Sequence, residues 1–111
     1  MSTDPQTTAI RDLNDDFRHT LKGGMLMLTA GIIALGAERQ ARIIAAVQAF
    51  DAFTPDNDPY GEHDFGSLDL DGEPIFFKLD YFDPTRAMHS EDPADPNKTE
   101  RVLTIMLASE Y

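Results

Sequence analysis

The chain has 111 residues, 9 Lys/Arg against 20 Asp/Glu, a formal net charge of −11 and no cysteine. This length suits one domain with one modest core, and the missing cysteine excludes disulfides, thiolate catalysis and thiolate-ligated zinc. Residues 51–100 hold 14 Asp/Glu and 3 Lys/Arg, whereas the other 61 residues hold 6 of each sign. Direct binding to nucleic acid or an anionic membrane needs Lys and Arg and is therefore disfavoured; basic protein surfaces and cations are the natural attractors.

Residues 1–6 read as a frayed tail ahead of a single domain over 7–111. Met1 to Thr8 has neither the basic nor the apolar region of a secretory signal, and cysteine-free composition suits a reducing cytoplasm, the expected location. Ile10, Leu13, Phe17 and Leu21 recur at helical spacing from Thr7 to Leu21, with Thr7 or Thr8 as the cap and Gly23-Gly24 as the stop. Arg11, Arg18, Arg39 and Arg42 read as ion-pair partners of nearby acids on helix surfaces. Met25 to Thr29 reads as a short buried strand. Met25, Met27 and Met106 read as core filler, with soft interface contacts as the alternative. Gly31 and Gly36 bracket a turn-like Ile32–Leu35.

Ala37 to Phe53 is rich in helix formers and puts Ile43, Val47 and Phe50 on one face, and Thr54-Pro55 stops it. Pro55 to Gly61 is turn chemistry. Asp64 to Leu70 and Pro74 to Phe82 alternate as strands around the hairpin signal Asp71-Gly72. Ile75, Phe77, Leu79 and Tyr81 share one face of the second strand, and Phe76, Lys78, Asp80 and Phe82 share the other. Asp83 to Glu100 reads as a long loop. Val102 to Leu107 is apolar on both faces apart from Thr104, as a central strand would be, and Tyr111 is expected to dock on the body of the fold. The order α-β-α-β-β-β predicts an α+β fold: an antiparallel sheet of about four strands with two helices on one face.

Three segments carry a resemblance: Phe50-Asp51-Ala52-Phe53-Thr54-Pro55-Asp56-Asn57-Asp58-Pro59, Gly61-Glu62-His63-Asp64-Phe65-Gly66 and Arg101-Val102-Leu103-Thr104-Ile105-Met106-Leu107-Ala108-Ser109-Glu110-Tyr111. They resemble a small bacterial family catalogued as domain of unknown function number 3768, over Ile10 to Tyr111. The family has no catalytic or binding assignments to transfer. The resemblance implies a proteobacterial setting, often on plasmids and other mobile elements. Small acidic proteins of that setting include antirestriction and anti-CRISPR proteins, to which this chain is similar in size and charge.

The candidate partner-binding residues are Asp56, Asp58, Glu62, Asp64, Asp69, Asp71, Glu73, Asp83, Glu91, Asp92 and Asp95, with Phe76 and Phe82 as apolar anchors. Carboxylates held on a rigid hairpin and its flanking loops suit the Lys/Arg-lined channel in which a CRISPR effector or restriction enzyme holds its nucleic acid. Long-range attraction would steer the encounter. The expected function is inhibition of such a defence complex as a DNA mimic, with no cofactor and no direct nucleic-acid or membrane contact. A metal reading of Asp56, Asp58 and His63 fits a calcium loop poorly, because Tyr60 stands at the fifth position, where only its backbone could contribute, and Ser67 stands at the twelfth in place of glutamate. A small metal-binding or hydrolytic protein centred on Glu62, His63 and Asp64 is the alternative, but neighbouring residues of a strand point apart unless the backbone turns there. No serine sits on an activating elbow and no glycine spacing cradles phosphate, so the chain is expected not to be an enzyme.

Overall fold

The computed structural model describes residues 4–111; part of the expected tail, residues 1–3, lies outside them. The first helix, α1, spans Pro5–Thr20 and so starts two residues before Thr7. Its cap is Asp4 rather than Thr7 or Thr8: the Asp4 carboxylate accepts from the Thr7 amide at 3.3 Å, and Pro5 takes the first turn, where its missing N–H costs nothing. At the other end Leu21, in the left-handed conformation, closes the helix before the glycine pair is reached.

Strand β1 (Gly24–Leu28) leads into a single helical turn, α2 (Ala30–Ile33), and then α3 (Ala37–Ala49). α3 ends four residues short of Phe53. Phe50 turns to extended backbone, and its ring meets Phe77 at 5.2 Å and Phe53 at 4.9 Å, so burial of two aromatic rings outweighs helix propensity there.

β2 (Phe65–Leu70) and β3 (Glu73–Phe82) form the expected hairpin. Asp71 and Gly72 both have positive φ, 55° and 82°, the two-residue turn that matches strand twist. Asp69 reinforces it by accepting from the Gly72 amide at 2.9 Å. The loop that follows contains hydrogen-bonded turns at Asp83–Arg86, Asp92–Asp95 and Asp95–Lys98, and β4 (Glu100–Leu107) and a 3-10 turn (Ala108–Glu110) complete the chain. The sheet order is β1-β4-β3-β2, so β4 is central.

The sheet is mostly antiparallel, as expected, with one parallel pair at its edge. β1 pairs with β4 in parallel, so the sheet is mixed rather than wholly antiparallel. The hairpin reverses the chain once and the 83–99 loop reverses it again at the end where β1 begins, so β4 runs in the direction of β2 and of β1. The expected layering holds. Ile10 and Phe17 of α1, Ile32 of α2, and Ile43 and Val47 of α3 are buried against Ile75, Phe77, Leu79, Leu103 and Ile105 on one face of the sheet. Gly66 lies on that face because the Phe77 ring occupies the space a Cβ would fill.

Among the described residues the other face carries no helix. Met106 and Val102 are buried there by their neighbours, but Met27 is 47% exposed. Of the three methionines, only Met106 is core filler in full. Tyr111 docks as expected, against Phe65 at 5.7 Å and Phe76 at 5.6 Å.

Candidate functional site

The strands sort the acidic residues into two ends. β2, β4 and β1 all begin at the end where β3 finishes, since Phe82 pairs with Glu100 and Phe65 with Lys78. Asp56, Asp58, Glu62 and Asp64, which lead into β2, and Asp83, Glu91, Asp92 and Asp95, which follow β3, flank this end. The other end is the hairpin tip with Asp69, Asp71 and Glu73. β3 has 10 residues, and at about 3.3 Å per residue the two ends stand roughly 30 Å apart. The eleven predicted carboxylates therefore do not form one continuous face.

Several of them are committed locally. Asp71 pairs with Arg42 at 2.6 Å and Glu91 with Lys98 at 3.4 Å. Asp83 accepts from the Thr85 hydroxyl and from the Thr85 and Ala87 amides, which holds its carboxyl below the ordinary range. Asp92 and Asp95 cap the amides of Ala94 and Asn97. These bonds order the 83–99 loop without neutralising its charge. Asp56 and Glu73 have no ion-pair partner among the described residues.

Beneath this end lies a buried polar array that the sequence reading missed. The Asn14 amide nitrogen donates to the Tyr81 hydroxyl at 2.8 Å and to the Glu62 carbonyl at 3.0 Å, and its carbonyl accepts from Arg101 Nε at 2.8 Å. Tyr81 donates to the Glu62 carboxylate at 2.8 Å, and a second Arg101 nitrogen reaches the Pro93 carbonyl. Burial raises the Tyr81 pKa and lowers that of Arg101. The array ties α1, β3, β4 and both acidic loops together.

His63 sits beside the array with φ of 56°, so the backbone does turn at this point. The turn still does not gather Glu62, His63 and Asp64. Glu62 goes to Tyr81. The His63 ring stacks on Phe53 at 3.8 Å, its Nδ1 lies 2.9 Å from Asp15, and its Nε2 lies 3.6 Å from the buried Asp58. For the metal reading, the second carboxylate at the ring is thus Asp15 rather than Asp56. Among the described residues no group of three or more His, Asp or Glu is disposed to hold a metal ion. Asp64 is half-buried. Burial first, and then the like charges of Glu62, Asp58 and Asp80, hold its carboxyl above the usual range, and no cation pairs with it among the described residues.

Phe76 and Phe82 both lie on the helix-free face, both half-buried. Phe76 is a member of the Phe65–Tyr111 ring cluster. Phe82 closes β3, where it bridges to His89. Arg18 is not a surface ion-pair partner: it is 2% exposed, spans from Asp15 at 3.1 Å to the carbonyls that end α3, and lies over the Phe53 and Phe77 rings. Arg42 does act as a surface partner, of Asp71.

Fold and charge together define a small acidic α+β protein with a mixed four-stranded sheet, helices on one side and a negative end. Among the described residues no helix is long and apolar enough to cross a membrane. The family model for the protein of unknown function family DUF3768 matches residues 28–110, and the chain belongs to that family. The match leaves out α1 and all but the last residue of β1, so the helix that supplies Asn14 and Arg18 lies beyond it. No curated protein and no solved structure matches the chain.

Proposed function

We propose that the chain is a binding protein rather than an enzyme, and that it inhibits a nucleic-acid-handling defence complex, of the anti-CRISPR kind, by occupying a basic nucleic-acid-binding surface. The observation that carries this reading is the concentration of unneutralised carboxylates on ordered loops at one end of the sheet. The polar array beneath them fixes both loops to the body, so a partner meets a preorganised surface and little ordering entropy is lost on binding. Of the three cations within residues 51–100, Lys78 and Lys98 are already paired, with Asp80 and Glu91. Partner lysines and arginines would supply the missing positive charge, as they do for a nucleic-acid backbone. Such a protein acts in the cytoplasm, where those complexes work, and suits carriage on a mobile element.

On this reading the partner-facing surface is smaller than the full set of eleven carboxylates. Asp69 and Asp71 serve the hairpin turn and the Arg42 pair, so the tip is peripheral. The hydrolytic reading gains no support, because Glu62, His63 and Asp64 have separate surroundings. The test is a target-DNA binding assay with a purified RNA-guided effector and, in parallel, a restriction endonuclease, each with the protein added. Inhibition near equimolar ratio is expected, weakening by an order of magnitude or more as salt rises from about 50 to 200 mM. Asp56→Lys, Asp64→Lys and Asp95→Lys combined should abolish inhibition, while the same reversal at Asp69, Asp71 and Glu73 should leave most of it. Equal loss from both triple variants, or salt-independent inhibition, would overturn the reading.

A further inference from the structure

A cleft of about 320 Å³ opens where the 57–60 loop meets the helix-free face of the sheet. Tyr60 forms part of its loop side; Phe65, Lys78, Asp80 and Tyr111 line it from the sheet side, and Asp64 joins the two. Tyr60 and Tyr111 are each 76% exposed. Phe65 and Phe76 support the Tyr111 ring from within the sheet, at 5.7 and 5.6 Å. The cleft thus presents aromatic surface to solvent beside carboxylates, and the charges are unbalanced. Lys78 lies 3.3 Å from Asp80. Asp64 faces the like charges of Glu62, Asp58 and Asp80 with no cation of its own among the described residues.

We propose that this cleft receives an arginine side chain presented by a protein partner, with the guanidinium lying against the Tyr60, Phe65 and Tyr111 rings and paired with Asp64. Three features select that occupant. Ring faces attract cations, and a flat cation stacks on them while its edge still donates. A carboxylate accepts two donors of a guanidinium in one plane. The space is far larger than an ion or a water needs and fits a long side chain. An anionic or purely aliphatic group would meet uncompensated negative charge instead. The inference depends on the acidic-binder reading only for who presents the arginine; the chemistry of the cleft stands on its own residues.

The test is a titration of the isotope-labelled protein with the capped tripeptide acetyl-Gly-Arg-Gly-amide, followed by amide NMR shifts, with the citrulline tripeptide as the isosteric neutral control. Saturable shifts confined to Tyr60, Asp64, Phe65, Lys78 and Tyr111 are expected, with binding at least fivefold weaker for citrulline. Asp64→Asn and Tyr60→Ala should each weaken the arginine peptide by about fivefold. Asp64→Asn removes a charge that folding disfavours, so its melting temperature should equal or exceed that of the parent, which separates lost binding from lost fold. Shifts spread evenly over the acidic end, equal binding of both peptides, or unchanged binding by Asp64→Asn would each overturn the proposal. Cleft binding without inhibition of any defence complex would uphold the cleft and remove the inhibitor reading. Inhibition that survives Asp64→Asn and Tyr60→Ala undiminished, with no peptide shifts, would do the reverse.

Discussion

Arg18→Ala is expected to destabilise the fold by about 3–5 kcal/mol, the usual cost of removing one member of a buried charged network, and to lower the melting temperature by roughly 15 °C or more. The last carbonyls of α3 lack the donors that a further helical turn would supply. The Arg18 NH1 nitrogen meets the carbonyls of Val47 at 3.0 Å (which also accepts from the Phe50 amide), Gln48 at 3.3 Å and, just past the helix, Phe50 at 2.8 Å, while NH2 pairs with Asp15 at 3.1 Å. The guanidinium also lies 5.4 Å from the centre of the Phe53 ring and 5.7 Å from that of Phe77. Truncation therefore strands carbonyls, opens a cavity between two rings and leaves Asp15 with only His63. Arg18→Lys restores the charge but not the fork, so it should recover only part of the loss. Chemical denaturation at neutral pH reads both variants. A loss under 1 kcal/mol for Arg18→Ala would mean that water replaces the guanidinium at the helix end.

Arg18 also shows where sequence reasoning stops. Alternation along Ile75, Phe77, Leu79 and Tyr81 revealed the core face of β3, and Asp71-Gly72 revealed its turn, because both signals are local. The parallel pairing of β1 with β4 was not legible, since Gly24 and Arg101 are joined only through the path of the whole intervening chain. Nor was the burial of Arg18. An apolar count along α1 assigns Arg18 to solvent, yet Ile10, Asn14, Phe17, Arg18 and Leu21 fall at i, i+4, i+7, i+8 and i+11, one helical stripe. Two polar residues inside such a stripe are a signal that something polar must meet them in the core. The candidate site was legible in composition but not in arrangement. Charge counting found the acidic half of the chain; only the strand directions divide Asp69, Asp71 and Glu73 from the rest, and only the contacts separate carboxylates that hold turns from Asp56 and Asp64, which pair with nothing positive among the described residues.

Asn14→Ala should cost about 2–4 kcal/mol, because it leaves several buried groups short of a partner at once. Asn14 is fully buried and carries three hydrogen bonds: to Tyr81, to the Glu62 carbonyl and from Arg101. Without it, Arg101 Nε loses its acceptor in a site where burial already disfavours the cation, and the Glu62 backbone loses its tie to α1. Because Asn14 and Arg101 share one network, their effects should not add. A double-mutant cycle with Arg101→Met is expected to show coupling on the order of 1–3 kcal/mol, whereas a cycle of Asn14→Ala with Arg42→Ala at the distant hairpin tip should show next to none. The functional consequence follows from position. Arg101 holds the 83–99 loop through the Pro93 carbonyl, and Glu62 belongs to the segment that carries Asp56 to Asp64. Loosening the array should therefore raise amide exchange in both acidic loops before it unfolds the sheet. If exchange rises uniformly instead, the array serves only global stability and the two loops are held by their own turns.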